Sequence, residues 1–222
     1  LTPDSAEVFR TPGYPFFLAI GKSLFGMTGV LLLQVLIDLG LIYLTYRLGS
    51  YLMNPNVGLW AAGFQAVSDI AIVSSLRFLS DGIFAFLLTA TVLLLAHHFR
   101  HGRWASLLAA AICTGLACYV RPVGLMFAGL VTLILLFQSK RFRRAGAFAG
   151  IVAIIIFPWI IRNHCLTGYN GFSSFASDSM YKYSAPLTLA NAEGYSIDQA
   201  RKNLGDRFRA ICPDETAEEY SP

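Results

Sequence analysis

The 222-residue sequence is 55% hydrophobic and only 14% charged, with a mean hydropathy of +0.57, whereas soluble domains carry about 25% charged residues. An ordinary soluble globular protein is excluded. Seventeen Lys and Arg against thirteen Asp and Glu give +4, a surplus placed mostly in short loops between apolar runs, which points to membrane topology rather than nucleic acid.

The chain opens at Leu1 without a signal-like segment and stops at Pro222 within polar sequence, so a piece of a longer protein is expected. From Arg10 the run Arg-Thr-Pro-Gly-Tyr-Pro holds two prolines that oppose helix and a glycine that permits positive φ. It reads as a shaped loop presenting Arg10 and Tyr14. Phe16 to Phe25 is apolar but too short to cross a bilayer, which needs about 20 residues, and is expected to be interfacial or re-entrant. Six spans follow, over Met27–Gly49, Val57–Leu76, Gly82–Phe99, Trp104–Val120, Pro122–Gln138 and Ala145–Ile161.

Gln34 and Asp38 lie four apart on the first span, and Gln65 and Asp69 four apart on the second. The two spans run antiparallel across a short loop, so a polar seam between them is expected; a proton path is the other reading of ionisable residues at membrane depth. Ser80-Asp81 opens the third span as an N-cap signal. His97, His98 and His101 beside Arg100 lack acidic or thiol neighbours, which favours a solvated basic loop over a metal site. Cys113 and Cys118 are small residues of the fourth span. Arg121-Pro122 and Pro158-Trp-Ile-Ile-Arg162-Asn163 put arginines at the ends of two more spans, with Trp159 at belt depth.

Beyond Arg162, the Ser-, Tyr- and Gly-rich stretch from Thr167 to Asn191 suits either an ordered substrate-contacting loop or a plain connection. Ile197, Ala200, Leu204, Phe208 and Ile211 recur at helical spacing, so Ser196–Ile211 should be an amphipathic helix. Four cysteines make no disulfide framework, although an oxidising compartment would permit Cys165 and Cys212 to pair. The expected division is residues 1–26, an end loop with an interfacial helix; 27–161, the membrane bundle; and 162–222, a loop and amphipathic helix.

Arg47, Arg100, Arg103, Lys140, Arg141, Arg143 and Arg144 fall in one set of short loops without any acid, which marks that side as cytoplasmic. Arg10, Arg77, Arg121 and Arg162 then reach the opposite face. Isolated arginines there run against the topology rule and could converge on one anionic group at headgroup depth. Each also has a plainer account, in which it snorkels to the interface or pairs with a lipid phosphate.

In this order and between these spans, Arg10-Thr-Pro-Gly-Tyr-Pro, Ser80-Asp81, Arg121-Pro122 and Pro158-Trp159 through Asn163 resemble the integral-membrane C-type glycosyltransferases. The nearest branch is the protein O-mannosyltransferase and lipid A aminoarabinose transferase group, glycosyltransferase family 39. The resemblance runs from about Arg10 to Asn170. It implies an all-α polytopic transmembrane bundle that moves a hexosyl or pentosyl group from a polyprenyl-phosphate donor to a protein, lipid A or envelope-glycan acceptor, on the extracytoplasmic side of a bacterial inner membrane.

The same resemblance implies that Arg121, Arg162 and Arg10 hold the donor phosphate, while Tyr14 and Asn163 belong to the substrate loop. The family's catalytic Asp is expected upstream of Leu1, since Asp4 and Glu7 stand too close to the Pro-Gly-Tyr-Pro segment; Asp81 is the surviving acid on the right face. Without that base the piece is expected to be inert alone. No cofactor or metal is expected, a divalent cation near Asp81 being the alternative, and no nucleic-acid partner. The rival function is a transporter or flippase for a lipid-linked anion, which would show broken helices paired between two halves.

Overall fold

The computed structural model describes residues 10–68, 77–138, 142–175 and 179–211, with side chains to Arg207 in the last stretch. Asp4, Glu7, Asp69, Lys140, Arg141 and Cys212 lie outside the described residues. The described chain is all-helical, an all-α membrane bundle followed by a second compact unit that begins at Ser173. In the bundle unit α1 covers Gly13–Leu52, α2 Pro55–Ala66, α3 Asp81–His101, α4 Trp104–Val120, α5 Gly124–Phe137 and α6 Phe142–Thr167. Three of them, α1, α3 and α6, are long and apolar enough to cross a membrane, and α4 and α5 are shorter apolar helices.

Helix α1 is broken at Gly26, whose φ of 69° is open to glycine and strained for other residues. Residues 13–25 fold back there. A Cβ on Gly21 would meet Val30 and Leu33, and the Tyr14 phenol lies by the Gln34 amide. A straight helix at 1.5 Å per residue would hold such pairs far apart. The proline-rich start is therefore helical rather than a presented loop: Pro12 takes the cap position and Pro15 falls in the first turn, where no N–H is required.

The core gathers around α4, which packs on α3, α5 and α6, while α1 packs on α2 and α3. Its buried residues include Ala110, Ala111, Gly115, Ala117 and Cys118, and such small side chains let neighbouring backbones approach in a membrane bundle. Leu107, Leu135 and Phe148 fill the remaining core space. Thr91 and Thr114 meet between α3 and α4 at 3.5 Å, and each also donates to the carbonyl four residues earlier. Trp60, Phe64, Phe137 and Ile154 face outward, as lipid solvation permits.

Several elements differ from the sequence reading. The fifth span begins only at Gly124, because Pro122 holds Arg121 extended at φ −145° and ψ 131°. The second span is described only as α2, Pro55–Ala66. His98 is not in a solvated loop: α3 continues through His101 to a left-handed cap at Gly102, and buried His98 shares a 2.8 Å hydrogen bond with the Arg103 carbonyl through Nδ1. His97 stacks on Tyr51 with centroids 4.2 Å apart.

In the second unit a π-helical turn at Met180–Ser184 leads into α7, Ala185–Glu193, and α8 covers Ile197–Ile211. Ala200 is buried, the Ser196 hydroxyl accepts from the Gln199 amide at 3.3 Å, and Arg207 pairs with Glu193 at 3.4 Å.

Candidate functional site

The turn before α3 and the end of α4 meet through one guanidinium. Arg121 leaves α4 extended, because it precedes proline, and reaches across to α3. Its Nη1 donates to Asp81 Oδ1 at 2.5 Å and its Nε to Ser80 Oγ at 3.1 Å. Ser80 sits at the cap position without capping, since its hydroxyl oxygen is turned to the guanidinium. Arg121 and Asp81 are each about two-fifths exposed, at 41% and 42%, so the pair is held by geometry while remaining open to a ligand. The N-terminus of α3 adds a positive dipole end.

Behind this pair stand residues that the sequence reading assigned to a seam with α2. Gln34 is buried and donates through Nε2 to the carbonyls of Arg77 and Leu79, at 3.2 and 3.0 Å. Asp38 comes against Gly82, where a Cβ would lie 2.5 Å from its Oδ1. The seam from α1 thus faces the Arg77–Gly82 turn and the first turn of α3, where an amide side chain satisfies two turn carbonyls and a carboxylate suits the positive helix end. Its opposite member, Asp69, lies outside the described residues.

Arg10 enters through its neighbour. Thr11 is buried and its hydroxyl donates to the Val120 carbonyl at 3.4 Å, and Gly13 sits so close that a Cβ would be 2.5 Å from the Tyr119 carbonyl oxygen. The segment carrying exposed Arg10 is therefore docked on the last turn of α4, next to Arg121. Tyr14 is not presented from a loop: its hydroxyl is buried because residues 13–25 fold onto α1.

Arg162 reaches the same end by an aromatic stack. Its guanidinium lies 4.3 Å over the Trp159 ring, Trp159 meets Tyr119 edge-on at 6.4 Å, and Tyr119 is two residues from Arg121. The Tyr119 hydroxyl donates to the Ile155 carbonyl at 2.8 Å, bracing the turn from which Pro158 removes a helix hydrogen bond. Asn163, expected at the substrate loop, has its side chain turned inward. Fully buried, it donates to the carbonyls of Gly171 and Phe172 at 3.0 and 3.3 Å and accepts from Arg162 Nη1 at 3.0 Å.

Arg10, Arg121 and Arg162 thus come to one end of the bundle around the last turn of α4. Neither of the two cavities described, of about 610 and 300 Å³, contains any of them. Among the described residues no three His, Cys, Asp or Glu cluster to hold a metal. What the arrangement offers is cationic donors at a helix N-terminus, a chemistry suited to phosphate. Sequence spacing missed Ser80 as the Arg121 acceptor and Gln34 as the brace of the turn. Both contacts join residues more than forty positions apart, and no local pattern reports them.

A family model described as dolichyl-phosphate-mannose-protein mannosyltransferase matches residues 9–161. That stretch takes in Arg10, Tyr14, Asp81 and Arg121 and ends one residue before Arg162. No curated protein and no solved structure matches the chain.

Proposed function

Since the chain belongs to the dolichyl-phosphate-mannose-protein mannosyltransferase family, we propose that it moves a sugar from a polyprenyl-phosphate donor to a hydroxyl or amine acceptor on the extracytoplasmic face of a bacterial inner membrane. Membership makes it an integral-membrane, mannosyltransferase-like glycosyltransferase. The finer reading concerns which residues act. In the reaction the acceptor atom bonds to the anomeric carbon, the bond from that carbon to the phosphate oxygen breaks with its electron pair going to phosphate, and the acceptor proton passes to a carboxylate.

Charge grows on the leaving phosphate, so a cation placed there stabilises the transition state more than the bound donor. Arg121 fills that role, with Arg10 and Arg162 as further donors. Asp81 is the carboxylate that orients Arg121; the base that takes the acceptor proton is a second carboxylate, because Asp81 is engaged. A guanidinium already supplies the cationic charge, so no metal is required. The single observation that carries this reading is the Arg121 side chain held by Ser80 and Asp81 at the N-terminus of α3.

The test is transfer by the purified full-length protein, offered radiolabelled polyprenyl-phosphate mannose or a nucleotide-linked mannose. Label should move only from the lipid-linked donor. Transfer from the nucleotide sugar alone would contradict the assignment. Sealed vesicles of opposite sidedness identify the face, transfer being expected only where the Arg121 end is accessible.

A further inference from the structure

A cavity of about 610 Å³ opens between α3 and α5 and runs from the first turn of α5, at Phe127, to Arg100 and Tyr51 at the end of the bundle opposite Arg121; α3 and α5 each pack on α4. Its size falls within the roughly 300–1,000 Å³ of ordinary ligand pockets. Val92, Ala96 and Phe99 of α3 and Phe127 and Ile134 of α5 line it with apolar surface, and its polar groups, on Tyr51 and Arg100, lie at one end. The Arg100 guanidinium sits 5.2 Å over the Tyr51 ring, with Nη1 only 3.5 Å from the Tyr51 carbonyl. The Tyr51 hydroxyl is buried without a hydrogen-bond partner among the described residues.

The surrounding charge is one-sided. Arg47, Arg103, Arg143 and Arg144 share this end, and no Asp or Glu occurs from Leu39 to Ser68 or from Gly82 to Ser177. A membrane-embedded apolar groove that ends in uncompensated cations matches one chemistry, an acyl chain joined to an anionic headgroup. We propose that this groove is a binding site for an anionic phospholipid, with one acyl chain between α3 and α5 and the phosphate on Arg100. A transmembrane helix is the less suitable occupant, because covering Arg100 with apolar side chains would desolvate its charge without a partner. This site is independent of the transfer reaction at the other end.

The experiment is native mass spectrometry of the full-length protein released from detergent after mixing with equal amounts of phosphatidylglycerol and phosphatidylcholine bearing identical chains. The expected result is a preference of about fivefold for phosphatidylglycerol, the size expected of one basic side chain at an anionic headgroup. Arg100→Gln should abolish the preference, and Ala96→Phe, which fills the groove, should reduce retention of both lipids. Arg47→Gln, which does not line the groove and whose guanidinium donates to the Tyr43 hydroxyl, should leave most of the preference intact. Equal retention by the native protein, or a preference that survives Arg100→Gln, would overturn the site. Competition by glycerol phosphate at the lipid's concentration would identify a plain anion site and overturn it too. A covering helix would appear as Ala96→Phe lowering the unfolding midpoint with lipid retention unchanged, an outcome that also refutes the proposal.

Discussion

The Arg121 guanidinium donates through Nη1 to the Asp81 carboxylate, joining the last turn of α4 to the first residue of α3. Both partners are about two-fifths exposed, so the pair contributes at most about 1 kcal/mol to stability. On the proposed function its value is orientation. Asp81→Asn should therefore leave the unfolding midpoint within about 2–4 °C of the native protein, while lowering kcat for sugar transfer about tenfold through a less directed guanidinium. Kinetics and thermal unfolding of the same preparation separate the two. A fall in stability with unchanged kcat would make the pair a structural clasp only.

Docking of the Arg10 segment rests on the absence of a side chain at Gly13, where an added Cβ would strike the Tyr119 and Val120 backbone. Backbone cannot yield as a flexible side chain does. Gly13→Ala should cost about 1–3 kcal/mol by overpacking and reduce transfer by displacing Arg10. Gly129→Ala, at a helical position where nothing lies within 4 Å, should instead stabilise α5 by up to about 1 kcal/mol. Thermal unfolding of the two variants checks the contrast.

The fold was largely legible from apolar run length. Trp104–Val120 and the bodies of the third and sixth spans follow from runs too apolar for water, and Gly26 separates the short first segment from the span. Side-chain partners were not legible. The Gln34 and Asp38 spacing announced a polar face on α1, but the partners of Gln34, the carbonyls of Arg77 and Leu79, depend on packing across more than forty residues. Likewise the basic residues near His98 suggested solvent, whereas buried His98 finds the Arg103 carbonyl. Arg121 could be placed at a helix end from Arg-Pro alone, yet its two acceptors come from a different helix.

Gln34 supplies a further check on that turn. Gln34→Leu removes both donors to Arg77 and Leu79 and leaves carbonyls short of partners, a loss of about 1–3 kcal/mol. Amide exchange over residues 77–82 should rise with little change elsewhere in α3. Protection unchanged in that turn would show that Gln34 does not brace it.

Asn163 ties the chain after α6 to its own helix and sets the Arg162 side chain. Asn163→Ala leaves two buried carbonyls without their donor, again about 1–3 kcal/mol. Limited proteolysis should then open the segment around Gly168–Phe172. Resistance equal to that of the native protein would assign the order of this segment to Phe172 packing on Tyr119 instead.

Chelation tests the absence of a metal requirement. On the proposed function, in which guanidinium groups carry the charge on phosphate, transfer by the full-length protein should be unaffected by EDTA. Loss of transfer that returns with a divalent cation would replace Arg121 with a metal at this step.

The most direct measurement is steady-state transfer by the full-length protein carrying Arg121→Ala, with polyprenyl-phosphate mannose as donor. Removing a donor that acts on developing charge should lower kcat about 10²–10³-fold, with donor KM changing far less and Arg121→Lys recovering part of the loss. An unchanged kcat in Arg121→Ala would contradict the assignment of the leaving phosphate to this guanidinium.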